Sequence, residues 1–176
     1  VSRSNIFGGG KTIDAFAGLS GLYNHGNQPN LHISWLFNFS GKPWLTQKWT
    51  RAIGAEFYGP EPIHGYGFGQ DEDQGQLGAW YVMSSLGLFD VKGLTDFKPS
   101  IQFGSPLFDK ATVTLGNGNT LVIEAANNNA DNVYVQSLEV NGKPYNENLI
   151  YWEALMKGGN LSFEMGSTPN AGWGTG

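Results

Sequence analysis

The spacing of apolar residues changes near Val91 from the period of helices to the period of strands. Large apolar side chains recur every four positions within 31–39 and again within 45–57, which predicts two helices with wide apolar faces. Gly41 is placed to end the first of them. A third helix is expected from about 74 to 86, so the helical pattern is confined to the first half of the chain.

Short β-rich runs occupy the second half. The runs 112–115 and 120–124 flank a loop of glycine and asparagine, which predicts a β-hairpin. A second hairpin is expected at Asn141 and Gly142. The alternating residues 161–165 predict the last strand.

These patterns predict an α+β fold with antiparallel strands. We divide the chain into a helical part at 1–93, a β region at 94–166 and a poorly ordered tail at 167–176. A length of 176 residues is enough for one sizeable domain or for a piece of a larger one.

The composition narrows the possible functions. Charged residues make up only 14% of the chain and aromatic residues another 14%, a balance typical of carbohydrate-facing or extracellular proteins. The net charge of −5 and the lack of any Lys and Arg cluster argue against a nucleic-acid partner. The chain has no cysteine, which excludes disulfide scaffolds and cysteine nucleophiles. No apolar run approaches the ~20 residues of a membrane span, so no membrane partner is expected.

Three consecutive carboxylates, Asp71, Glu72 and Asp73, precede the third predicted helix. Such crowding is unfavourable unless a cation, a raised pKa or a helix N-terminus offsets it. In an extended backbone Asp71 and Asp73 lie on one side, where they can share a proton, position a water or hold a cation. Alternatively, Asp73 caps the helix that begins near Gln74. The two interpretations are compatible, because a capped turn would also hold the carboxylates rigidly in place.

The segment 25–32 concentrates a second set of polar side chains before a predicted helix, with two histidines and three amides. Amide oxygens suit a hard cation such as calcium, whereas His25 and His32 could contact a sugar hydroxyl. The alternative is that Asn27 or Asn30 caps the following helix.

Several stretches together carry a resemblance to a known family. The matching stretches are 26–29, 39–47, 69–77, 79–82, 85–87 and 104–108. With them, the chain resembles the C-terminal part of a glycoside hydrolase family 92 enzyme, one of the calcium-dependent, inverting, exo-acting α-mannosidases. The resemblance is close over about 20–110 and looser elsewhere.

The resemblance implies a fold and two catalytic residues. The first half would belong to an (α/α)6 barrel and the second to appended β structure. Asp73 would be the general base that deprotonates the attacking water, and Asp71 would orient that water or share its proton. The family's catalytic acid lies upstream of the base, in a segment that this sequence does not include.

The resemblance also implies a calcium ion, with Asn27, Gln28 and Asp73 as candidate ligands. Gln28 stands where the family commonly has glutamate, so it keeps an oxygen and loses a charge. His25, Gly26 and His32 are the candidate substrate-binding residues. Members specific for α-1,2 linkages carry His-Glu before this turn, whereas here Gly26 follows His25, which leaves other linkages or mannosyl-phosphate substrates open.

The resulting expectation is the C-terminal portion of a secreted or extracellular α-mannosidase that acts on terminal α-mannosides of glycans such as N-glycans. Its partners would be a mannose-containing glycan and the upstream part of the same enzyme, which carries the acid. Two alternatives belong to other classes. The chain could be a non-catalytic carbohydrate-binding or structural fragment, or an aspartate-rich metal-binding domain unrelated to sugars.

Overall fold

A computed structural model of the chain describes residue 23, residues 25–58 and residues 74–175. Helices dominate the first part of this range. They are the 3-10 helices η1 (Gln28–Asn30) and η2 (Ile33–Ser40) and the α-helices α1 (Pro43–Phe57) and α2 (Gln76–Ser85). A further short helix, α3 (Trp152–Leu155), lies among the strands of the second part. None of these described helices is long and apolar enough to cross a membrane.

The helices form largely where the apolar spacing predicts them. α1 covers all of 45–57 and begins with Pro43 in its first turn, where the missing N–H costs nothing. Gly41 ends η2 in the left-handed conformation (φ 70°), which confirms its predicted role as a stop. The segment 33–40, however, is a 3-10 helix. The (α/α)6 barrel stays a prediction, since the described part of the chain contains only two α-helices of more than one turn.

Strands fill the second part and form two sheets. They are β1 (Leu88–Phe89), β2 (Ser100–Phe103), β3 (Lys110–Thr114), β4 (Thr120–Ala126), β5 (Tyr134–Val140), β6 (Lys143–Pro144), β7 (Leu149–Tyr151) and β8 (Gly159–Gly166). The smaller sheet has the order β1-β2-β7 and is antiparallel. The larger sheet has the order β3-β4-β8-β5-β6.

Both predicted hairpins are confirmed. β3 and β4 pair antiparallel around the glycine-asparagine loop, with Thr114 opposite Thr120. β5 and β6 pair through Asn141 and Gly142, whose φ values of 53° and 73° are those of a tight hairpin turn.

The expectation of purely antiparallel strands is wrong at one pair. β8 runs parallel to β4 and antiparallel to β5, so it lies between them. The chain passes through β5, β6, β7 and α3 before it returns as β8, and a parallel pair requires such a long crossover. The larger sheet is therefore mixed.

The tail does not behave as expected, because its tryptophan belongs to the core of the β region. Trp173 is only 2% exposed and packs with residues of both sheets, including Phe103 and Phe163. Its indole N–H donates to the Tyr145 carbonyl at 3.1 Å. The expectation of a poorly ordered tail is wrong for these residues, since the buried indole and its hydrogen bond hold them against the core.

The helical part is joined to the β region through Trp35. This side chain of η2 is fully buried and stacks on Phe89 of β1 at a centroid distance of 5.1 Å. Gly104 lies directly under its ring, and a Cβ built there would stand 2.6 Å from the indole. Asn38, also in η2, donates to the Phe103 carbonyl at 2.9 Å. The absence of a side chain at 104 therefore permits the contact.

We expect Gly104→Ala to destabilise the folded protein by about 1–3 kcal/mol, because the new methyl group would displace a fully buried ring. Gly116→Ala is the matched control, since a Cβ there meets no atom within 4 Å. Thermal unfolding of the full-length protein checks both variants. Equal unfolding midpoints for the two would contradict this account of the interface.

Candidate functional site

The polar segment 25–32 forms a compact turn built on η1. The Asn30 N–H donates to the Asn27 carbonyl at 2.8 Å, and the Leu31 N–H donates to the Gln28 carbonyl at 3.1 Å. Pro29 lies in the first turn of η1, where its fixed φ suits a helical start. The side chain of Asn27 is exposed, that of Gln28 is half-buried and that of His32 is exposed.

The capping alternative for this turn is wrong for Asn30 and holds for Asn27 in position only. Asn27 occupies the N-cap position of η1, but its side chain makes no capping hydrogen bond. Asn30 is not a cap either, because the N-cap of η2 is His32. The amide of Asn27 therefore faces outward from the turn and is not used to satisfy a helix end.

His25 lies beneath this turn in an aromatic cage. Its Nδ1 is 2.7 Å from the Tyr23 hydroxyl, and its Nε2 is 2.8 Å from the Tyr58 hydroxyl. Trp80 meets the ring edge-on at 4.3 Å, and Phe57 stacks on it at 5.7 Å. Burial lowers the pKa of His25 to about 3, because the charged form loses its hydration there.

One further hydrogen bond attaches the turn directly to α2, and a second attaches the end of α1 to the same helix. The indole N–H of Trp80 donates to the Leu31 carbonyl at 2.9 Å. The Tyr58 hydroxyl donates to the Leu77 carbonyl at 3.1 Å. Leu77 and Trp80 are both buried, so the attachment is shielded from water. The turn and the first two turns of α2 therefore form one unit.

The predicted catalytic residues Asp71 and Asp73 lie outside the described residues. The chain is described again from Gln74, and α2 begins only at Gln76 with Gly75 at its N-cap. Gly75 therefore occupies the N-cap position, and the predicted capping role of Asp73 falls outside the described residues. Gln74 and Gly75 both have positive φ, at 59° and 75°, so two left-handed residues separate the acidic run from the helix.

The predicted metal and substrate residues are only partly brought together. Asn27 and Gln28 are adjacent at the surface of the turn. His32 follows two residues after the end of η1, at the N-cap position of η2. His25 faces inward and is fully buried, so its assignment to the substrate stays a prediction. Gly26, which lies between His25 and Asn27 in the sequence, is half-buried.

Asn27 and Gln28 alone provide too few oxygen ligands, and no negative charge, for a calcium site. Amide oxygens such as those of Asn27 and Gln28 suit a hard cation, but calcium sites normally include carboxylates. Within the described ranges, no three His, Asp or Glu side chains cluster as a metal site. The acidic run lies just before α2 in the sequence, and its carboxylates are candidates to complete such a site.

The sequence did not single out the two tyrosines that hold His25. Both are ordinary aromatic residues in the sequence. The only signals are that Tyr23 lies just before the polar segment and that Tyr58 lies at the end of a predicted helix. A cavity of about 430 Å³ lies between α1 and α2 near Arg51 and Tyr81. None of the predicted site residues lines it, although Tyr58 and Trp80, which bond to the turn, form part of its wall.

Comparison with known proteins gives the family. Residues 5–167 match the model of the glycosyl hydrolase family 92 catalytic domain. This chain belongs to glycosyl hydrolase family 92. The match extends over both the helical part and the β region, so both are parts of the family's catalytic domain.

Solved structures of the family have the same fold over this chain. A family GH92 α-mannosidase from Bacteroides thetaiotaomicron matches 89% of it with a TM-score of 0.82 and 34% identity, and the match covers 20% of that enzyme. The same enzyme in complex with mannoimidazole gives a TM-score of 0.81 at 33% identity, again over 89% of this chain and 20% of the enzyme. A family GH92 inverting mannosidase from the same organism matches 99% of this chain with a TM-score of 0.78 and 33% identity, which is 25% of that enzyme.

A relative in sequence is an uncharacterized secreted glycosidase from Arthroderma benhamiae. It is 30% identical over 155 residues, which are 86% of this chain and 19% of the relative. The family 92 chain thus spans about a fifth to a quarter of the proteins that it matches.

The buried His25 predicts a loss of stability in acid. Its pKa is 6.5 in an ordinary environment and about 3 here, so the unfolded chain binds the extra proton below pH 6.5 and the folded chain does not. The contribution of the neutral His25 to the free energy of unfolding is complete above pH 6.5 and falls as the pH drops toward 3. At pH 5 the loss is about 2 kcal/mol.

Thermal unfolding of the full-length protein between pH 7 and 5 tests this. His25→Gln should reduce the acid-induced fall of the unfolding midpoint, whereas the exposed His32→Gln should leave it unchanged. The assignment fails if the two variants respond to acid alike.

Proposed function

We propose that this chain supplies the general base and part of a calcium site to an inverting exo-α-mannosidase that cleaves terminal α-mannosides of glycans. The observation that carries the proposal is the attachment of the 25–32 turn to α2. That helix begins three residues after Asp73 in the sequence, and the turn is bonded to its second turn through Trp80. The catalytic acid would lie in the upstream part of the enzyme.

In this proposal Asp73 removes a proton from the water that attacks the anomeric carbon of the mannoside. The bond from that carbon to the leaving oxygen breaks as the upstream acid protonates the oxygen, so the product has inverted configuration. Asp71 orients the same water or shares its proton. The acid and base carboxyl groups of such enzymes stand roughly 6.5–9.5 Å apart, which leaves room for the water. The inverting mannosidase among the structural relatives supports this choice of mechanism.

The calcium site would use the amide oxygens of Asn27 and Gln28 together with Asp73. A bound calcium ion would supply positive charge that favours the ionised form of nearby carboxylates. Asn27 supports this role, because its exposed side chain does not cap η1. Gln28 contributes an oxygen without charge, so the acidic run would provide most of the negative charge.

The substrate would lie beside Gly26 and His32. His32 is exposed, and its imidazole can exchange hydrogen bonds with a sugar hydroxyl. Gly26 leaves space where a side chain would otherwise stand. The mannoimidazole complex of a structural relative supports a mannose-type ligand. The pair His25 and Gly26 favours linkages other than α-1,2, or a mannosyl-phosphate substrate.

We place the enzyme outside the cell. A secreted glycosidase is 30% identical to this chain, and that relative supports the assignment. A low charge content of 14% is in keeping with it.

A second candidate function is carbohydrate binding without catalysis. It is favoured for this chain alone by its length, which is about a fifth to a quarter of that of the structural relatives. Calorimetry of the isolated chain with mannose, with and without calcium, distinguishes the two. Binding without turnover supports the second candidate for the chain alone.

We expect Asp73→Asn in the full-length enzyme to lower kcat for mannoside hydrolysis about 10²–10⁴-fold, because the amide cannot accept the proton of the attacking water. Asp131→Asn in the β region is the matched control, since this exposed residue lies in a loop between strands. Release of mannose from a synthetic mannoside measures both. A near wild-type rate for Asp73→Asn would refute the general-base assignment.

We also expect Asn27→Ala to weaken calcium binding in the full-length enzyme about tenfold or more, because one neutral oxygen ligand is lost from the site. The calcium concentration that half-saturates the rise in unfolding temperature measures this independently of activity. Asn146→Ala, an exposed position of the β region, serves as the control. Identical calcium titrations for the two variants would remove Asn27 from the ligand set.

A further inference from the structure

The hydrogen atoms around His25 can be assigned from the chemistry of its neighbours. A tyrosine hydroxyl has one hydrogen to donate, and a backbone carbonyl can only accept. The Tyr58 hydroxyl lies 3.1 Å from the Leu77 carbonyl and 2.8 Å from His25 Nε2. It therefore donates to the carbonyl and accepts from the imidazole, so Nε2 carries the hydrogen.

The other ring nitrogen is then an acceptor. His25 is fully buried, and burial favours the neutral imidazole, which has a single N–H. With that hydrogen on Nε2, Nδ1 accepts from the Tyr23 hydroxyl at 2.7 Å. The result is a chain of hydrogen bonds with one direction, from Tyr23 through His25 and Tyr58 to the backbone of Leu77.

This chain joins three parts of the molecule. His25 opens the 25–32 turn, Tyr58 follows the last residue of α1, and Leu77 lies in the first turn of α2. The rings of Trp80 and Phe57 hold the imidazole on two sides, so it has little freedom to rotate. Hydrogen bonds inside an aromatic cage fix distances and angles more narrowly than apolar packing alone, because their energy depends on direction.

We propose that His25 and Tyr58 are positioning residues that set the 25–32 turn at a fixed distance from the start of α2. The inference rests on the proposed function, in which the turn carries calcium and substrate groups and α2 follows the catalytic base. A change of about 1 Å between such groups can lower the rate about 10²-fold. His25 thus acts on the reaction through the turn and not by touching the sugar.

Tyr58→Phe tests the inference in the full-length enzyme. It removes one hydroxyl and keeps the ring, which stacks on Trp80 and on Tyr81. We expect kcat for mannoside hydrolysis to fall about 10–100-fold while KM changes less than about threefold, because alignment is lost and not contact with the sugar. The assay temperature is kept well below the unfolding midpoint of each variant.

Tyr81→Phe is the matched control. It removes the same group from a neighbouring ring of the same stack, and the Tyr81 hydroxyl makes no hydrogen bond among the described residues. Its kcat should stay within about twofold of wild type. The inference is overturned if Tyr58→Phe keeps its kcat, if both variants lose equally, or if KM rises with kcat unchanged.

Two substitutions at 25 give a second measurement that does not depend on Tyr58→Phe folding well. The amide nitrogen of a glutamine reaches the place of Nε2 and can still donate to Tyr58, whereas that of an asparagine reaches only the place of Nδ1. His25→Gln should therefore retain more kcat than His25→Asn, and the reverse order overturns the inference. If Asp73→Asn remains active, the proposed function itself fails, whereas unchanged positioning variants beside an inactive Asp73→Asn reject only this inference.

Discussion

The contact between Trp35 and the backbone at Gly104 is the constraint on which the arrangement of the two parts depends. The fully buried indole fills the space between η2 and the small sheet, and only glycine leaves room for it. Asn148 in the loop before β7 adds a second tie, since its amide donates to the Asn38 carbonyl and to the Gly174 carbonyl at 2.9 and 2.8 Å. The β region, η2 and the last residues are thereby held at one place.

A separate set of hydrogen bonds fixes α1 against the β region. The guanidinium of Arg51 donates to the Pro106 carbonyl, to Asn128 Oδ1 at 2.9 Å and to the Asn129 carbonyl at 2.9 Å. Burial lowers the pKa of Arg51, because these acceptors replace water without adding a negative charge. Gln47, one turn earlier, accepts from the Val135 N–H at 3.0 Å and so continues the hydrogen bonding of β5 onto the helix. α1 is therefore oriented by directional bonds as well as by its apolar face.

Local signals in the sequence were sufficient for elements whose conformation is decided locally. The four-residue spacing found α1, and the pairs of glycine and asparagine found both hairpins. The parallel pairing of β8 with β4 was missed, because it depends on how far the chain travels between them and no short motif records that. The tail was misjudged for the same reason. Trp173 is ordered by a core that includes residues as far away in the sequence as Leu88 and Phe103.

The sequence predicts the chemistry of the site, which stays a prediction, and gives no sign of the hydrogen bonds that hold the 25–32 turn. Runs of amides and carboxylates are visible in a sequence because side-chain types reveal what they can bind. The bonds that hold His25 join residues 2 and 33 positions away from it, and tyrosine is equally common in ordinary cores. An inverting mechanism needs its base at a set distance from an acid that another part of the enzyme provides. In the proposed function this chain would hold the base, so the hydrogen bonds that fix the turn, α1 and α2 relative to one another would bear on that distance.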